Sequence, residues 1–147
     1  MTLSPADKFA ITELSNTQMQ ALDNHDVAAW VSAWLPDGDF IATYGTFSGH
    51  EAITAFINGH IAAGKEDGAR HLMTNYVISG DGDTATSTCR VTKLQVDAPP
   101  FIIATGVYTD VLVRTEQGWK FRSRRLDIER GVFARAEIEA AAAQHRG

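Results

Sequence analysis

Apolar positions recur at helical spacing over the first third of the chain and change to strand-like alternation over the rest. Ser4-Pro5-Ala6-Asp7 reads as a helix start: Ser4 caps, Pro5 suits the first helical position, and Asp7 favours the positive end of the dipole. Ile11, Leu14, Gln18, Ala21 and Leu22 then share one face, which predicts a helix ending near Asn24. Asp26 caps a second, short helix in which Val27, Trp30, Val31 and Trp34 follow the i, i+3, i+4, i+7 rule, with Pro36-Asp37-Gly38 as its stop. Asp39 to Tyr44 reads as a short strand broken by Gly45. Ser48-Gly49-His50-Glu51 opens a third helix with a capping-box pattern. Its stripe is Ile53, Phe56, Ile57, His60 and Ile61, and Gly64 and Gly68 mark its exit.

Beyond Gly68 the period is two. Residues 70–79 and 84–97 read as strands around the hairpin signal Gly80-Asp81-Gly82-Asp83. Pro99-Pro100 ends the second of them, and residues 101–114 form a third. Glu116-Gln117-Gly118 turns the chain into a fourth strand, from Trp119 to about Ile128. Residues 134–144 are alanine-rich and read as a terminal helix. Helices first and long antiparallel strands afterwards indicate one α+β domain over residues 1–147, with a curved sheet wrapped over the helices.

Strict alternation puts His71, Met73, Asn75 and Val77 on one strand face, and Ala104, Gly106, Tyr108, Asp110 and Leu112 on one face of the third long strand. These small and polar residues suit a pocket lining. The opposite face, with Phe101, Ile103, Thr105, Val107, Thr109, Val111 and Val113, would need cover from the tail helix or another subunit. Arg124 alternates with Trp119, Phe121 and Ser123, so it joins them inside only through a bulge.

Composition narrows the class. No stretch approaches the run of about 20 apolar residues that spans a membrane, and Met1 to Pro5 lacks the features of a signal peptide, so a cytoplasmic location is expected. With a net charge of −5, and Arg122, Arg124 and Arg125 the one basic cluster, nucleic acid is a poor partner. The single cysteine, Cys89, excludes an internal disulfide and a Cys-rich zinc site, and reads as a buried thiol. No His-x-His or His-x-x-x-His spacing suggests a metal site, and no Gly-rich loop suggests a nucleotide.

Several segments together resemble a known family. They are Ala21-Leu22-Asp23-Asn24-His25-Asp26 before a Trp-containing helix, Phe47-Ser48-Gly49-His50-Glu51-Ala52-Ile53 opening the third helix, and Arg70-His71 through Asn75. Gly106-Val107-Tyr108-Thr109-Asp110 and Gly118-Trp119-Lys120-Phe121 with Arg124 complete the set. In order and spacing the chain resembles a SnoaL-like domain of the nuclear transport factor 2-like superfamily. The resemblance implies a cone-shaped α+β barrel, with N-terminal helices packed in the concave face of a strongly curved, mainly antiparallel sheet around a deep pocket. The layout is similar to the scytalone dehydratase and hexachlorocyclohexane dehydrochlorinase groups. Both place a catalytic Asp on Asp23 and a catalytic His on His71, and the second places a catalytic Arg on Arg124. Leu22 stands where scytalone dehydratase has a Tyr, and the third long strand lacks that enzyme's second His, so neither group's own substrate is implied.

An Asp–His pair moves protons near neutral pH, because a carboxylate on one ring nitrogen fixes the tautomer and stabilises the imidazolium that forms. The resemblance thus implies a cofactor-independent lyase, dehydratase-like, in which Asp23 orients and His71 takes a carbon-bound proton from a small hydrophobic cyclic or aromatic substrate. Tyr108, Arg124 and His60 are candidate partners for the leaving group. Met73, Asn75, Phe56, Trp34 and Asp110 are candidate pocket residues. Trp34 and Trp30 equally suit a core, His60 packing on the sheet, and Asp110 an arginine partner. Two alternatives stand beside the lyase. One is an isomerase or cyclase with the same pocket. The other is a non-catalytic ligand-binding or assembly module, such as the β-subunit of a ring-hydroxylating dioxygenase. Self-association as a homodimer or homotrimer is expected on family grounds.

Overall fold

A computed structural model describes residues 2–131, so the alanine-rich tail helix expected at 134–144 lies outside the described residues. Three helices precede most of the sheet: α1 (Pro5–Asp23), α2 (Val27–Val31) and, after strands β1 (Trp34–Ala42) and β2 (Gly45–Ser48), α3 (Gly49–Ala62). Four long strands follow: β3 (Ala69–Asp81), β4 (Thr84–Gln95), β5 (Phe101–Thr115) and β6 (Gly118–Gly131). The strand order is β2-β1-β6-β5-β4-β3. Every pairing is antiparallel except β1 with β6. The sheet is curved and does not close, so the expected cone is an open one with β2 and β3 at its edges. Helix α1 packs on β3 and β6, and α3 on β1 and β2.

The start of α1 forms as its residues dictate. Asp7 N–H donates to the Ser4 hydroxyl, while the Asp7 carboxylate accepts from Ser4 N–H, a complete capping box behind Pro5. Asp26 caps α2 through Ala29 N–H. At α3 the cap differs from expectation: Ser48 is the N-cap but its side chain makes no capping bond, and Gly49 at φ +85° turns the chain from β2 straight into the helix.

Trp34 departs further from the helical reading. Helix α2 stops at Val31, and Trp34 opens β1 instead of closing the helix stripe. Pairing with β6 decides this: Phe121 N–H donates to the Ala33 carbonyl, and Trp34 stands in register with Phe121. Pro36-Asp37-Gly38 then lies inside β1 as a break in register before Asp39. A Cβ on Gly38 would sit 2.9 Å from the Phe121 carbonyl oxygen, which explains a glycine at this close approach.

Bulges reset which residues face inward. On β3 the register slips between Thr74 and Val77, and Asn75 takes φ +57°. His71 and Met73 point inward as expected, but Tyr76 and Ile78 follow them, while Asn75 and Val77 face out. Asn75→Val is expected to cost about 1–2 kcal/mol, because a β-branched residue is strained in the left-handed region; urea unfolding measures it. On β6 the slip opposite Val111 and Leu112 leaves Arg122 as the extra residue, so Phe121 and Arg124 both turn inside. On β5 the slip opposite Lys93 and Leu94 of β4 leaves Ile103 as the extra residue and brings it into the interior, against the expectation that it shares the outer face. Of that face, Val111 remains exposed, as do Leu72 and Val77 on β3.

The core joins both layers: Ile11, Met19 and Leu22 of α1, Trp30, Trp34 and Phe40, Ile53 and Ile57 of α3, and Leu112 and Phe121 of the sheet. Trp30 and Trp34 meet edge to face at 4.7 Å, and both contact Phe40. Cys89 is buried in this core, and burial pushes its thiol up to about 11, so it stays protonated and unreactive.

Candidate active site

Asp23 occupies the last turn of α1, and His71 lies near the start of β3. The chain joins them because α1 runs out beside β3: Asn24 ends the helix, and His25 at φ +57° turns the chain toward α2. Nδ1 of His71 lies 2.7 Å from one Asp23 oxygen, and the backbone N–H of His71 donates to the other at 3.2 Å. Both side chains are largely buried, at 7% and 12% exposure. Two bonds from one carboxylate fix both the ring and the strand that carries it. With Asp23 accepting from Nδ1–H, the lone pair resides on Nε2.

His71 forms part of the wall of a pocket. Trp30, Phe40, Tyr44 and Phe56 supply an aromatic side, and Ile103, Leu126 and Ile128 an aliphatic one. His60, Lys65, Glu66 and Lys93 join His71 at a polar end, and Tyr108 is among the residues that line the rest. This composition, mostly apolar with convergent polar groups, is that of a small-molecule site. Among the described residues no group of His, Cys, Asp and Glu side chains has the arrangement to hold a metal ion.

Of the residues expected at the site, His71, Tyr108, Phe56 and His60 line the pocket. Asp23 contacts His71 from outside the lining. Trp34 is core, with its indole N–H on the Asp39 carbonyl. Met73 packs against the core without lining the pocket. Asn75 is on the outer side of its bulge and is no pocket residue.

Arg124 and Asp110 form a separate buried centre. Arg124 is fully buried and donates to Gln18 Oε1 and, at 2.8 Å, to Ser15 Oγ, both from the buried face of α1. Its guanidinium stacks over the Tyr108 ring at 4.0 Å and the Phe121 ring at 4.5 Å. Its Nε lies 3.2 Å from Asp110 Oδ1, but too poorly aligned for a hydrogen bond, and neither Asp110 oxygen has one. Burial pushes the Asp110 carboxyl up to about 6 against the pull of Arg124. Burial is the largest influence and opposes the charge on Arg124, but Asp110 together with Tyr108, Cys89 and Tyr76 outweighs it and raises the guanidinium above its ordinary value. The bulge thus brings Arg124 inside, but to a position outside the pocket lining; Tyr108, whose ring it supports, is the residue that meets the pocket.

His60 and Tyr108 are both held neutral. Burial lowers His60 to about 4 even though Glu66 Oε1 lies 3.4 Å from its Nε2. Burial raises the Tyr108 hydroxyl well above the usual phenol range. The His60 shift has a defined consequence for stability. The folded protein resists protonation that the unfolded chain accepts near pH 6.5, so stability is lost as pH falls from about 6.5 to about 4. His60→Gln is expected to flatten that part of the profile by on the order of 2 kcal/mol, as read from urea midpoints along a pH series.

Glu66 and Lys93 went unseen in the sequence. Lys65-Glu66-Asp67 sits between two glycines, a pattern that reads as a solvated turn, and both glycines do take positive φ. Glu66 is nevertheless only 3% exposed. Its Oε1 accepts from Lys93 Nζ at 2.7 Å, and its backbone carbonyl lies 3.2 Å from His25 Nε2. Lys93 also donates to the Lys65 carbonyl at 2.9 Å. Alternation on β4 places Lys93 inside; nothing in its neighbourhood marks it as a site residue.

The profile of SnoaL-like domains matches residues 5–125. The chain belongs to the SnoaL-like domain family. Comparison with curated proteins gives no match. Among solved structures, an NTF2-like protein with a cystatin-like fold from Novosphingobium aromaticivorans is 26% identical. The match covers 89% of this chain and 88% of that one, with a TM-score of 0.77. A protein of unknown function from Nostoc punctiforme, also of cystatin-like fold, is 22% identical over 88% and 96% of the two chains, at a TM-score of 0.80. A scytalone dehydratase-like protein from Novosphingobium aromaticivorans is 19% identical over 85% of each chain, at a TM-score of 0.71. The last two likenesses are of fold. No helix among the described residues is long and apolar enough to cross a membrane.

Proposed function

We propose that this SnoaL-like protein is a cofactor-independent lyase of the dehydratase type, acting on a small hydrophobic cyclic or aromatic molecule. The observation that carries the reading is the buried Asp23–His71 contact with Nε2 of His71 at the wall of an apolar pocket. In the proposed reaction, Nε2 takes a proton from carbon. The C–H electron pair becomes the new C=C bond, and the hydroxyl on the neighbouring carbon departs. The proton held by His71 leaves with that hydroxyl as water, so nothing is consumed and the dyad is reset. Asp23 stays ionised and balances the imidazolium while it exists.

The likeness to a scytalone dehydratase-like fold supports this reaction class, and an isomerase or cyclase would use the same first step. A buried, doubly bonded dyad favours catalysis over an assembly module, which has no use for an oriented imidazole. Self-association as a dimer or trimer belongs to the same proposal, and sedimentation tests it. The test of function is a screen of hydroxylated cyclic and aromatic compounds with wild type and His71→Ala. Turnover by wild type that is lost in the variant is expected. Turnover unchanged by the substitution would show that His71 is not the base.

A further inference from the structure

Elimination needs a place for the departing hydroxyl as well as a base, and the residues expected to serve it are poorly suited. Arg124 lies outside the pocket lining, spent on Gln18, Ser15 and Asp110. His60 is neutral, and the buried Tyr108 hydroxyl is a weak acid. Glu66 and Lys93 offer something different. Of the three protons on the Lys93 ammonium, one goes to Glu66 Oε1 and one to the Lys65 carbonyl. The third has neither of these partners. Of the two Glu66 oxygens, Oε1 is held by Lys93, and Oε2 is buried with no hydrogen-bond partner. That oxygen lies 3.9 Å from Nε2 of His71, too far for a hydrogen bond and close enough to share one substrate with it.

A buried carboxylate oxygen without a partner is costly and rare in folded proteins. Here it stands beside a lysine donor, at a pocket wall, next to the catalytic nitrogen. One functional group satisfies both at once: a hydroxyl, which donates its hydrogen to Glu66 Oε2 and accepts from the third Lys93 N–H. We infer that Glu66 and Lys93 form the binding site for the substrate's departing hydroxyl, so that the substrate class is a hydrophobic cyclic alcohol. This rests on the lyase reading above and names the second half of its site. As the C–O bond breaks, its electron pair stays on oxygen, where the Lys93 ammonium stabilises the charge until the proton taken by His71 completes a water molecule. The base and the leaving-group site are then one carboxylate apart, and the proton has a short path between them.

The inference is testable without turnover. The probes are 1-tetralol and tetralin, equal in ring system and differing by one hydroxyl, with affinities measured by protein NMR titration on the whole chain. Wild type is expected to bind the alcohol about 10-fold more tightly, the worth of one or two net hydrogen bonds. Lys93→Met should weaken the preference, because only the Glu66 acceptor then remains. Since that change strands a buried carboxylate, the neutral pair Glu66→Leu with Lys93→Met, which has no hydrogen-bonding group left at either position, is made alongside it and should bind both probes alike. His71→Ala should keep the preference, which separates this site from the base. Equal binding of both probes by wild type, binding of neither, or a preference surviving in the neutral pair would overturn the assignment. Loss of turnover in His71→Ala judges the lyase reading separately.

Discussion

Asp110→Ala should destabilise the protein by about 3–5 kcal/mol, the largest effect expected of any single substitution outside the apolar core. The reason is the arginine left behind. Arg124 is fully buried, and Asp110 is the carboxylate nearest its guanidinium. Removing that charge strands a cation that Gln18 and Ser15 can hydrogen-bond but not neutralise. Replacing both partners tells a different story. Asp110→Leu with Arg124→Met removes the charges together and should recover most of the loss, because a buried ion pair gains little over well-packed apolar side chains. Urea unfolding of the single and double variants measures both. The pH dependence should also invert relative to that of His60. The folded Asp110 carboxyl titrates near 6, above its unfolded value near 3.8, so the cost of burying its charge is relieved as pH falls between them. Equal stability of Asp110→Ala and wild type would mean that Arg124 is not held by this carboxylate.

His71→Ala should lower the turnover number by about 10²–10⁴-fold, the usual worth of a general base. Asp23→Asn should fall in a similar range, for a different reason. An amide at this position can present its N–H₂ to Nδ1, which moves the ring proton to Nε2 and removes the lone pair that would accept from carbon. Asp23 also holds the backbone N–H of His71, so the asparagine variant tests orientation as well as tautomer. Since Asp23 lies outside the lining and His71 is one of many residues that form it, substrate affinity should change far less than turnover. A loss in affinity alone, with turnover kept, would assign the pair to binding.

Much of this architecture was legible in the order of residues, for local reasons. Ser4, Pro5 and Asp7 start α1 by bonds that act within one turn, and period-two alternation announced β3 to β6. The Asp23–His71 contact was not legible from spacing, since the two stand 48 residues apart; the resemblance to the family placed them together. What remained hidden depends on pairing between distant strands. Parallel pairing with β6 took Trp34 from the helix stripe into β1, and bulges at Asn75 and Arg122 changed which side chains face inward. The bulge that Arg124 needed is present, but it delivers the guanidinium beneath Tyr108 and outside the pocket lining. Glu66 stayed hidden because a charged residue between two glycines gives no sign that the turn will fold inward over the end of a pocket.

The central claim is that Asp23 leaves Nε2 of His71 as the bare, proton-accepting nitrogen at the pocket wall. The most direct measurement is ¹⁵N NMR of the His71 side chain in the ligand-free protein, at a pH high enough for the imidazole to be neutral. The ring nitrogens should report a proton on Nδ1 and a lone pair on Nε2, with Asp23→Asn shifting the proton to Nε2. A wild-type ring already protonated on Nε2 would contradict the account.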